Sequence, residues 1–289
     1  MRGFHALTAW VICSCMHYSL GVLPGNPRIV DLTHTLVNGL VYWPGEVHYQ
    51  WNMGFRGMTP GGFYLENNDF QSSEHSGTHV DAPAHMAEGK WKADQIQLER
   101  LTGPGVVVDL WEKNVTSDYL VSQQDFQDWE EKHGRIPDGC ILMIHTGWAK
   151  RYWDGGQLAY MGSTNESGLS FPGLDPAAAR WLADNRGMHA VGIDTCSVDS
   201  AKTEAKGSHT TLFALNIPFL ENVANLDQLP ATGSTIFALP IKIGGGSGAP
   251  ARIIAIINGD TSAAASGPRQ GLIGIGVLAL VAILAFNVI

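Results

Sequence analysis

Short apolar runs alternate with amphipathic stretches along the middle of the chain, and this pattern predicts strands alternating with helices. Six apolar runs have the length of β-strands, and several are apolar at every position, as in strands covered on both faces. They span residues 28–32, 105–110, 140–145, 190–194, 235–243 and 251–257. Helices are predicted at residues 122–133 and 175–185, where Asp175 and Pro176 are typical of a helix cap and first turn.

No internal repeat or low-complexity linker divides residues 28–257, so the pattern predicts one domain there. A chain of 289 residues can hold one large domain or two small ones, and length alone does not decide between them. Hydrophobic residues make up 45% of the chain and glycines number 34, which fits a packed body with many tight turns. We therefore expect a mixed α/β domain with loops rich in glycine and proline.

The N-terminal residues resemble a processing signal. They combine an early Arg2, an apolar stretch over residues 6–15 and small residues at positions 19–21, where a signal peptidase could cut. We expect a signal peptide over residues 1–21 and a mature protein that begins near Val22. A cytosolic enzyme with an apolar first helix is the alternative.

The C-terminal residues 261–289 contain small residues, a short polar spacer and an apolar end. The apolar run at 272–289 is about long enough to span a bilayer, but no lysine or arginine follows it, as one would after a stop-transfer helix. The combination is the pattern of a glycosylphosphatidylinositol (GPI) anchor signal, whose tail is removed. We expect this anchor behind a domain at 22–260, with a retained membrane helix as the alternative.

Export to the cell surface agrees with two glycosylation sequons, at Asn114 and Asn165. Only Cys140 and Cys196 remain after removal of residues 1–21. They could pair in an oxidising compartment, yet both lie in apolar, strand-like segments, where a buried free cysteine is the commoner outcome. The sequence leaves this pairing open.

The formal net charge is −9, from 18 basic and 27 acidic residues. A surface that binds nucleic acid needs clustered lysine and arginine, and the sequence contains no basic run. We therefore expect no nucleic-acid partner, and membrane contact only through the C-terminal anchor.

One short segment concentrates residues that bind metals or transfer protons: His75, His79, Asp81 and His85. All four have odd numbers, so an extended chain would point them to one face, whereas a helix would scatter them. A straight strand would separate His75 from His79 by about 13 Å at roughly 3.3 Å per residue, too far for one ion. The chain must therefore bend, and Gly77 permits the bend.

Such a bend would gather two imidazoles and one carboxylate into a three-ligand set with a position left for water, as in hydrolytic metal sites. A bound divalent ion lowers the pKa of that water to roughly 7. His85 would then be free to take a proton from the water and give it to a leaving nitrogen, since the ordinary pKa of imidazole is about 6.5. His209 and Glu221 form a second candidate pair, for which spacing alone is weak support.

Several motifs of this chain resemble those of the cyclase family, which includes bacterial kynurenine formamidases and isatin hydrolases. The similarity covers about residues 28–257 and keeps the family's order and spacing. It rests on the motifs at residues 42–45 (YWPG), 75–85 (HSGTHVDAPAH), 101–104 (LTGP), 145–148 (HTGW), 192–195 (GIDT) and 209–221. The resemblance implies a single α/β domain, of a swivelling β/β/α-like type, around a mixed and nearly closed β-sheet.

The resemblance also implies a role for individual residues. The metal ligands would be His75, His79, Asp81, His209 and Glu221. Asp81 would bridge a first and a second ion, His85 would be the acid/base, and Trp43 would place its flat face against the substrate. Family members use zinc or manganese, as one ion or two, so Zn²⁺ or Mn²⁺ is the expected cofactor. They also usually form homodimers or larger homo-oligomers, which we expect here.

These features predict a metal-dependent hydrolase of an amide-type C–N bond in a small aryl or cyclic amide. The reaction would be arylformamidase chemistry, from N-formylkynurenine to kynurenine plus formate, or the opening of a related cyclic amide or ester. One alternative is a cell-surface protein that keeps the fold and binds a small molecule without catalysis. A structural zinc domain is disfavoured because such sites use several cysteines, and the mature chain keeps two.

Overall fold

Twelve β-strands and five α-helices lie in residues 26–203 and 206–258, the part of the chain that the computed structural model describes. The strands are β1 (Arg28–Asp31), β2 (Gln50–Met58), β3 (Tyr64–Gln71), β4 (His79–Asp81), β5 (Thr102–Asp109), β6 (Leu120–Val121), β7 (Ile141–His145), β8 (Gly173–Leu174), β9 (Ala190–Ile193), β10 (Phe219–Glu221), β11 (Ser234–Pro240) and β12 (Gly248–Ile257). The helices are α1 (Gln123–His133), α2 (Trp148–Tyr152), α3 (Gly156–Met161), α4 (Pro176–Asn185) and α5 (Gly207–Phe213). Short 3₁₀ turns join several of them, including Pro83–His85.

Eight of the strands form one mixed sheet in the order β1-β12-β11-β5-β7-β9-β10-β4. β12 also pairs with β4, so the seven strands from β12 to β4 close into a ring, and β1 lies outside the ring against β12. β5, β7, β9 and β10 run parallel, and the other pairs are antiparallel. The predicted α/β domain with a mixed, nearly closed sheet is confirmed.

The central ring strand β7 is apolar on both faces from Ile141 to Ile144, because each face packs against its own hydrophobic cluster. In β7, Leu142 and Ile144 pack with the helices outside the ring, whereas Ile141 and Met143 point to the cluster inside it. All four side chains are fully buried. Burying such a side chain contributes about 1.5–3 kcal/mol, so both faces of the ring stabilise the fold.

The two predicted helices are present, and the second begins at its predicted cap, Asp175. Ser122 caps α1, where its hydroxyl and the carboxylate of Asp125 each accept a hydrogen bond from the other residue's backbone N–H. Asp175 caps α4 by accepting from the Ala177 N–H at 2.8 Å, and Pro176 fills the first turn. These local bonds satisfy N–H groups that a helix start leaves open.

Residues 28–257 form one compact unit, in agreement with the single predicted domain. Cys140 and Cys196 are buried free thiols in this unit. Burial raises the pKa of Cys140 to about 12.

No helix among residues 26–203 and 206–258 combines the length and hydrophobicity that crossing a membrane requires. The predicted signal peptide and C-terminal anchor signal lie outside the described residues.

Candidate metal centre

The predicted ligands come from four places in the fold that meet at one end of β4. His79 and Asp81 are on β4, and the antiparallel pairing with β10 sets Glu221 directly across from His79. His209 is on α5, which packs beside this strand pair, with its ring 4.8 Å from that of Phe219 on β10. His75 precedes β4. The sheet therefore brings together residues that are far apart in the sequence.

A bend at Gly77 folds His75 back over β4. Gly77 adopts a φ of +62°, and a Cβ at this position would lie 2.6 Å from Cδ2 of Leu36. The rings of His75 and His79 are consequently 5.3 Å apart between centroids, instead of the separation expected for a straight strand. The bend that the sequence predicted is confirmed, and its left-handed φ favours glycine at this position.

The five predicted ligand residues fall into two three-residue groups that share Asp81. One group is His75, His79 and Asp81, and the other is Asp81, His209 and Glu221; within each, one ligand atom per residue lies within 4.8 Å of the others. Four of the five side chains are almost fully buried, and His75 is half-buried. A shared carboxylate between two such groups is suited to holding one ion or two adjacent ions.

The hydrogen bonds of His79 fit a metal ligand. Its Nδ1 lies 2.9 Å from the carbonyl oxygen of Gly77, which can only accept, so Nδ1 carries the proton of the neutral ring. Nε2 then offers a lone pair and lies 3.0 Å from Asp81 Oδ1 and 3.5 Å from Glu221 Oε2. This buried Nε2 has no hydrogen-bond partner among the described residues. A lone pair facing two carboxylates is stabilised by a cation among them.

His75 and His209 are oriented in the same way by neighbouring side chains. His209 Nδ1 lies 2.6 Å from Asp199 Oδ2, which leaves Nε2 facing Asp81 and Glu221 at 3.5 and 3.4 Å. His75 Nε2 lies 3.0 Å from the hydroxyl of Ser247, which donates in turn to Glu74. His75 Nδ1 then faces Asp81 Oδ1 at 2.6 Å. Such partners commonly fix the orientation of metal-binding histidines.

The charges of the buried site also favour a cation. Burial lowers the pKa of His79, but the carboxylates of Asp81 and Glu221 outweigh this effect and raise it to about 10. Burial raises the pKa of Asp81, but the neighbouring His75 and His79 bring it well below its ordinary value. The carboxylates therefore hold protons on the imidazoles, and a metal ion would take the place of those protons.

His85 lies beside the ligand groups at the end of the turn Pro83–His85. Its ring centroid is 4.1 Å from that of His75 and 6.3 Å from that of His209. Burial lowers the pKa of His85. The negative charge of Asp81 raises this pKa, but its effect is smaller than that of burial. A neutral imidazole at this place can accept a proton from a molecule held in the adjoining cavity.

A cavity of about 250 Å³ opens onto these side chains. It is lined by Val41, Tyr42, Trp43, Glu46, His75, His79, Asp81, His85, Met86, Glu166, Cys196, Ser197, Lys206, His209, Glu221 and Asn222. Trp43 lines one wall, where its Nε1 donates to Glu166 Oε1 at 2.9 Å and Lys206 Nζ lies 5.3 Å from its ring centroid. The five predicted ligands, His85 and Trp43 thus line one cavity, and their roles remain predictions.

Several residues at this site were not predicted from the sequence. Asp199 orients His209, and Asn222 donates to the Gly77 carbonyl at 2.7 Å and so supports the bend. Ser247 comes from the segment before β12, far from His75 in the sequence. Asn222 directly follows Glu221, which is the one local signal that could have drawn attention to it.

A family model described as "Putative cyclase" matches residues 30–200, which is more than half of the 289 residues. The chain belongs to the cyclase family. This cyclase-family chain is 33% identical over 193 residues to isatin hydrolase from Roseibium aggregatum, covering 64% of this chain and 72% of that protein. It is 24% identical over 225 residues to kynurenine formamidase from Bacillus mycoides, covering 78% and 95%.

The solved structure of isatin hydrolase A from Labrenzia aggregata bound to benzyl benzoate has the same fold. Its TM-score is 0.72 at 28% identity, with 88% of this chain and 100% of that chain covered. The family, these hydrolase relatives and the His/Asp/Glu cluster together support a metal-dependent hydrolase that holds a divalent ion.

Proposed function

We propose that this chain hydrolyses the amide-type C–N bond of a small aryl or cyclic amide. The observation that carries the proposal is the pair of three-ligand groups sharing Asp81, with His85 beside them on the same cavity. The names of the relatives support this bond type, since one is an isatin hydrolase and another a kynurenine formamidase. The substrate would be N-formylkynurenine, cleaved to kynurenine and formate, or a related cyclic amide.

Zn²⁺ or Mn²⁺ held by these residues would polarise the carbonyl and lower the pKa of water. His85 is placed to take the proton of the attacking water, because its own pKa is lowered and it stands next to the ligand groups. The same ring can then pass that proton to the departing nitrogen, which would be a poor leaving group as an anion. The flat face of Trp43 offers an aryl ring a contact at the cavity wall.

The dimensions of the cavity suit a small substrate. A volume of about 250 Å³ is near the lower end for ligand pockets, so it fits one or two rings better than a long chain. Lys206, the one lysine or arginine that lines the cavity among the described residues, could contact a carboxylate on the substrate. The structure of the benzyl benzoate complex shows that a relative of this fold accepts an aryl compound.

One preparation tests the reaction directly. Metal content is measured first, and the same protein is then assayed with N-formylkynurenine, isatin and simple cyclic imides. We expect turnover of at least one of them, with loss of both metal and turnover in His79→Ala and Asp81→Ala. A metal-loaded protein that binds these compounds without cleaving them would favour the alternative of a binding protein, which nothing in the site supports.

We also propose that the mature protein is exported, glycosylated and held at the cell surface by a lipid anchor. The sequence of residues 1–21 and 261–289 supports this location. Treatment of intact cells with a phospholipase specific for GPI anchors should release the protein into the medium. Recovery of residues 272–289 in the mature chain by mass spectrometry would instead show a retained tail.

A further inference from the structure

A second cavity, which none of the proposed metal ligands lines, lies at one edge of the ring. Its volume is about 530 Å³, within the range of ligand-binding pockets. β5, β7 and β9 are parallel neighbours, so their carboxyl ends lie at the same edge. His145, the last residue of β7, and Asp194, directly after β9, line this second cavity. In sheets with parallel strands, ligands commonly bind at such an edge.

Asp194 brings a buried carboxylate with an unused oxygen to the second cavity. The residue is 2% exposed. Its Oδ1 accepts from the Thr146 N–H at 2.8 Å and from the Thr146 hydroxyl at 2.6 Å. Its Oδ2 is buried and has no hydrogen-bond partner within residues 26–203 and 206–258. Burial raises the pKa of Asp194 and outweighs the opposing effects of His145 and Thr146. A buried oxygen of this kind calls for a donor, and none of the residues described supplies it.

Two sequence motifs meet at this place, because Thr146 belongs to the motif at residues 145–148 and Asp194 to the motif at 192–195. Neither motif contributes a proposed metal ligand. The hydrogen bonds between them hold the carboxylate of Asp194 at the second cavity. The proposed hydrolysis therefore leaves the function of these motifs unexplained.

Two histidines line the second cavity as well. His145 Nδ1 lies 2.8 Å from Asp109 Oδ1, which only accepts, so Nδ1 carries the proton of the neutral ring and Nε2 is left as an acceptor. Burial lowers the pKa of His34 to about 4, although Asp154 raises it, so this ring is uncharged at neutral pH. Trp153 stacks on His34 with ring centroids 3.6 Å apart and fixes it at the wall.

The charges that line the second cavity are mainly negative. Lys150 is the one lysine or arginine of the lining in the described part of the chain, and its Nζ lies 2.9 Å from Asp227 Oδ2. This pair is balanced, whereas Asp154 and Asp194 have no basic residue beside them in the lining. Both groups of metal-ligand atoms found among the described residues belong to the candidate metal centre. The acceptors of the second cavity are thus too widely spaced for one metal ion.

We propose that the second cavity binds a small organic cation that carries one or two ammonium groups. An ammonium group has three donors and no acceptor, which complements a lining of carboxylates and a histidine acceptor. Beside Asp194 it supplies both the hydrogen bond and the charge that Oδ2 lacks. Asp154, at an exposed position of the lining, attracts a second ammonium group. This site is independent of the proposed hydrolysis, because it shares no residue with the ligand groups.

Calorimetric titration of the purified protein with 1,4-diaminobutane tests the proposal, and 1,4-butanediol, which has the same length and no charge, is the matched control. We expect one diamine to bind per chain in a saturable way. Its affinity should be at least about tenfold higher than that of the diol, because hydrogen bonds between charged groups are roughly twice as strong as neutral ones.

Three variants test whether the diamine binds in the second cavity. Thr35→Arg puts a positive charge at an exposed position of the lining and should weaken diamine binding about fivefold. Thr232→Arg, the same change at an exposed position outside the lining, should have no effect. Asp194→Asn keeps the shape of the side chain but removes its charge, and should weaken binding at least about tenfold. Circular dichroism shows whether each variant is folded, and Thr35→Arg decides the matter if Asp194→Asn is not.

The cavity at the candidate metal centre also contains carboxylates, so a further variant excludes binding there. Glu166→Gln, at an exposed position of that cavity, should keep the wild-type affinity for the diamine. A loss of binding in Glu166→Gln would place the diamine at the metal centre and overturn the proposal. The proposal also fails if the protein shows no saturable binding at millimolar diamine, if the diol binds equally well, or if Thr35→Arg and Thr232→Arg have the same affinity.

Discussion

At the residue scale, a hydrogen bond at Nδ1 of each of two imidazole rings determines that the ring turns its Nε2 toward the carboxylates. The Gly77 carbonyl takes the Nδ1 proton of His79, and Asp199 takes that of His209. Both Nε2 atoms therefore face Asp81 and Glu221. The proposed ligands are thus oriented without an ion, which would reduce the entropy lost on metal binding.

The role of His85 can be separated from metal binding. His85→Ala should leave metal content nearly unchanged but lower turnover at least about a hundredfold, the usual effect of losing general acid–base help. His133→Ala is the control, because His133 is an exposed imidazole at the end of α1. Normal turnover in the His85 variant would contradict the role proposed for it.

Asp199 should act on the metal through His209. In Asp199→Asn the hydrogen bond to Nδ1 loses its charged acceptor, so affinity for Zn²⁺ should fall about 10- to 100-fold. Competition with a chromophoric chelator measures that affinity, while turnover at saturating metal should change less. Asp184→Asn, at an exposed position on α4, is the control. Equal affinities in the two variants would rule out the positioning role.

At the element scale, the sequence predicts an element well when burial and periodicity agree. The fully buried strands β7 and β9 were predicted because both faces of the ring are covered. The helices α1 and α4 were predicted from local sequence, and the cap of α4 was one of the signals. The hairpin of β2 and β3 was missed because asparagine and glycine interrupt its apolar positions, and its apolar side chains are exposed instead of packing into the core. α2 and α5 are short helices with too few turns to show a helical period.

In the candidate site, too, the residues that are close in sequence were predictable and those that the fold brings together were not. The segment from His75 to His85 was predictable, because Gly77 makes the required bend and all four polar residues are close in sequence. Asp199 was not, because it lies in the irregular segment between β9 and α5, and Ser247 was not, because only the closed ring brings it against His75, which is far away in the sequence. Long-range pairing of this kind leaves no periodic signal in the sequence.

The cap of α1 provides a pH-dependent test of stability. Asp125 accepts from the Ser122 N–H at 2.7 Å and from the Tyr119 hydroxyl at 2.9 Å, and it contacts Lys113. Burial raises the pKa of Asp125, but the bonds from Lys113 and Ser122 outweigh this effect and lower it. Asp125→Asn should therefore lower the free energy of unfolding by about 1–3 kcal/mol at neutral pH.

The sign of the pH effect follows from the lowered pKa. The stabilisation by Asp125 is fully present above the unfolded-state pKa of about 3.9 and is lost as the pH falls through the lower folded-state value. Denaturant unfolding should thus separate wild type from Asp125→Asn at neutral pH and bring them together in acid. Glu131→Gln, at an exposed position on the same helix, should have a small effect throughout. A gap between wild type and Asp125→Asn that persists in acid would contradict this account.

At the scale of the whole molecule, the closure of the ring and the candidate metal centre meet at β4. β4 pairs with both β10 and β12, and buried carboxylates lie where these strands meet. An ion bound there offsets their charge and stabilises the folded state alone, by about 2.7 kcal/mol at a concentration a hundred times its dissociation constant.

Removal of the metal should therefore lower the melting temperature of the domain by several degrees. For a domain of this size each kcal/mol corresponds to about 2–4 °C. Scanning fluorimetry with a chelator and then with added Zn²⁺ or Mn²⁺ measures the shift. Asp81→Ala should abolish the response, and Asp184→Asn should keep it. A wild-type melting temperature that ignores both chelator and metal would show that these strands need no ion.

The pairing of β12 with β4 also has a consequence for the order in which the protein matures. His79 and Asp81 are made early during synthesis, but the strand that closes the ring beside them belongs to the last part of the domain. A chain that lacks β12 has the histidines but lacks the strand that pairs with β4 beside them. The protein would then bind its metal ion only at the end of folding. A chain truncated before Gly248, the first residue of β12, should fail to retain the ion.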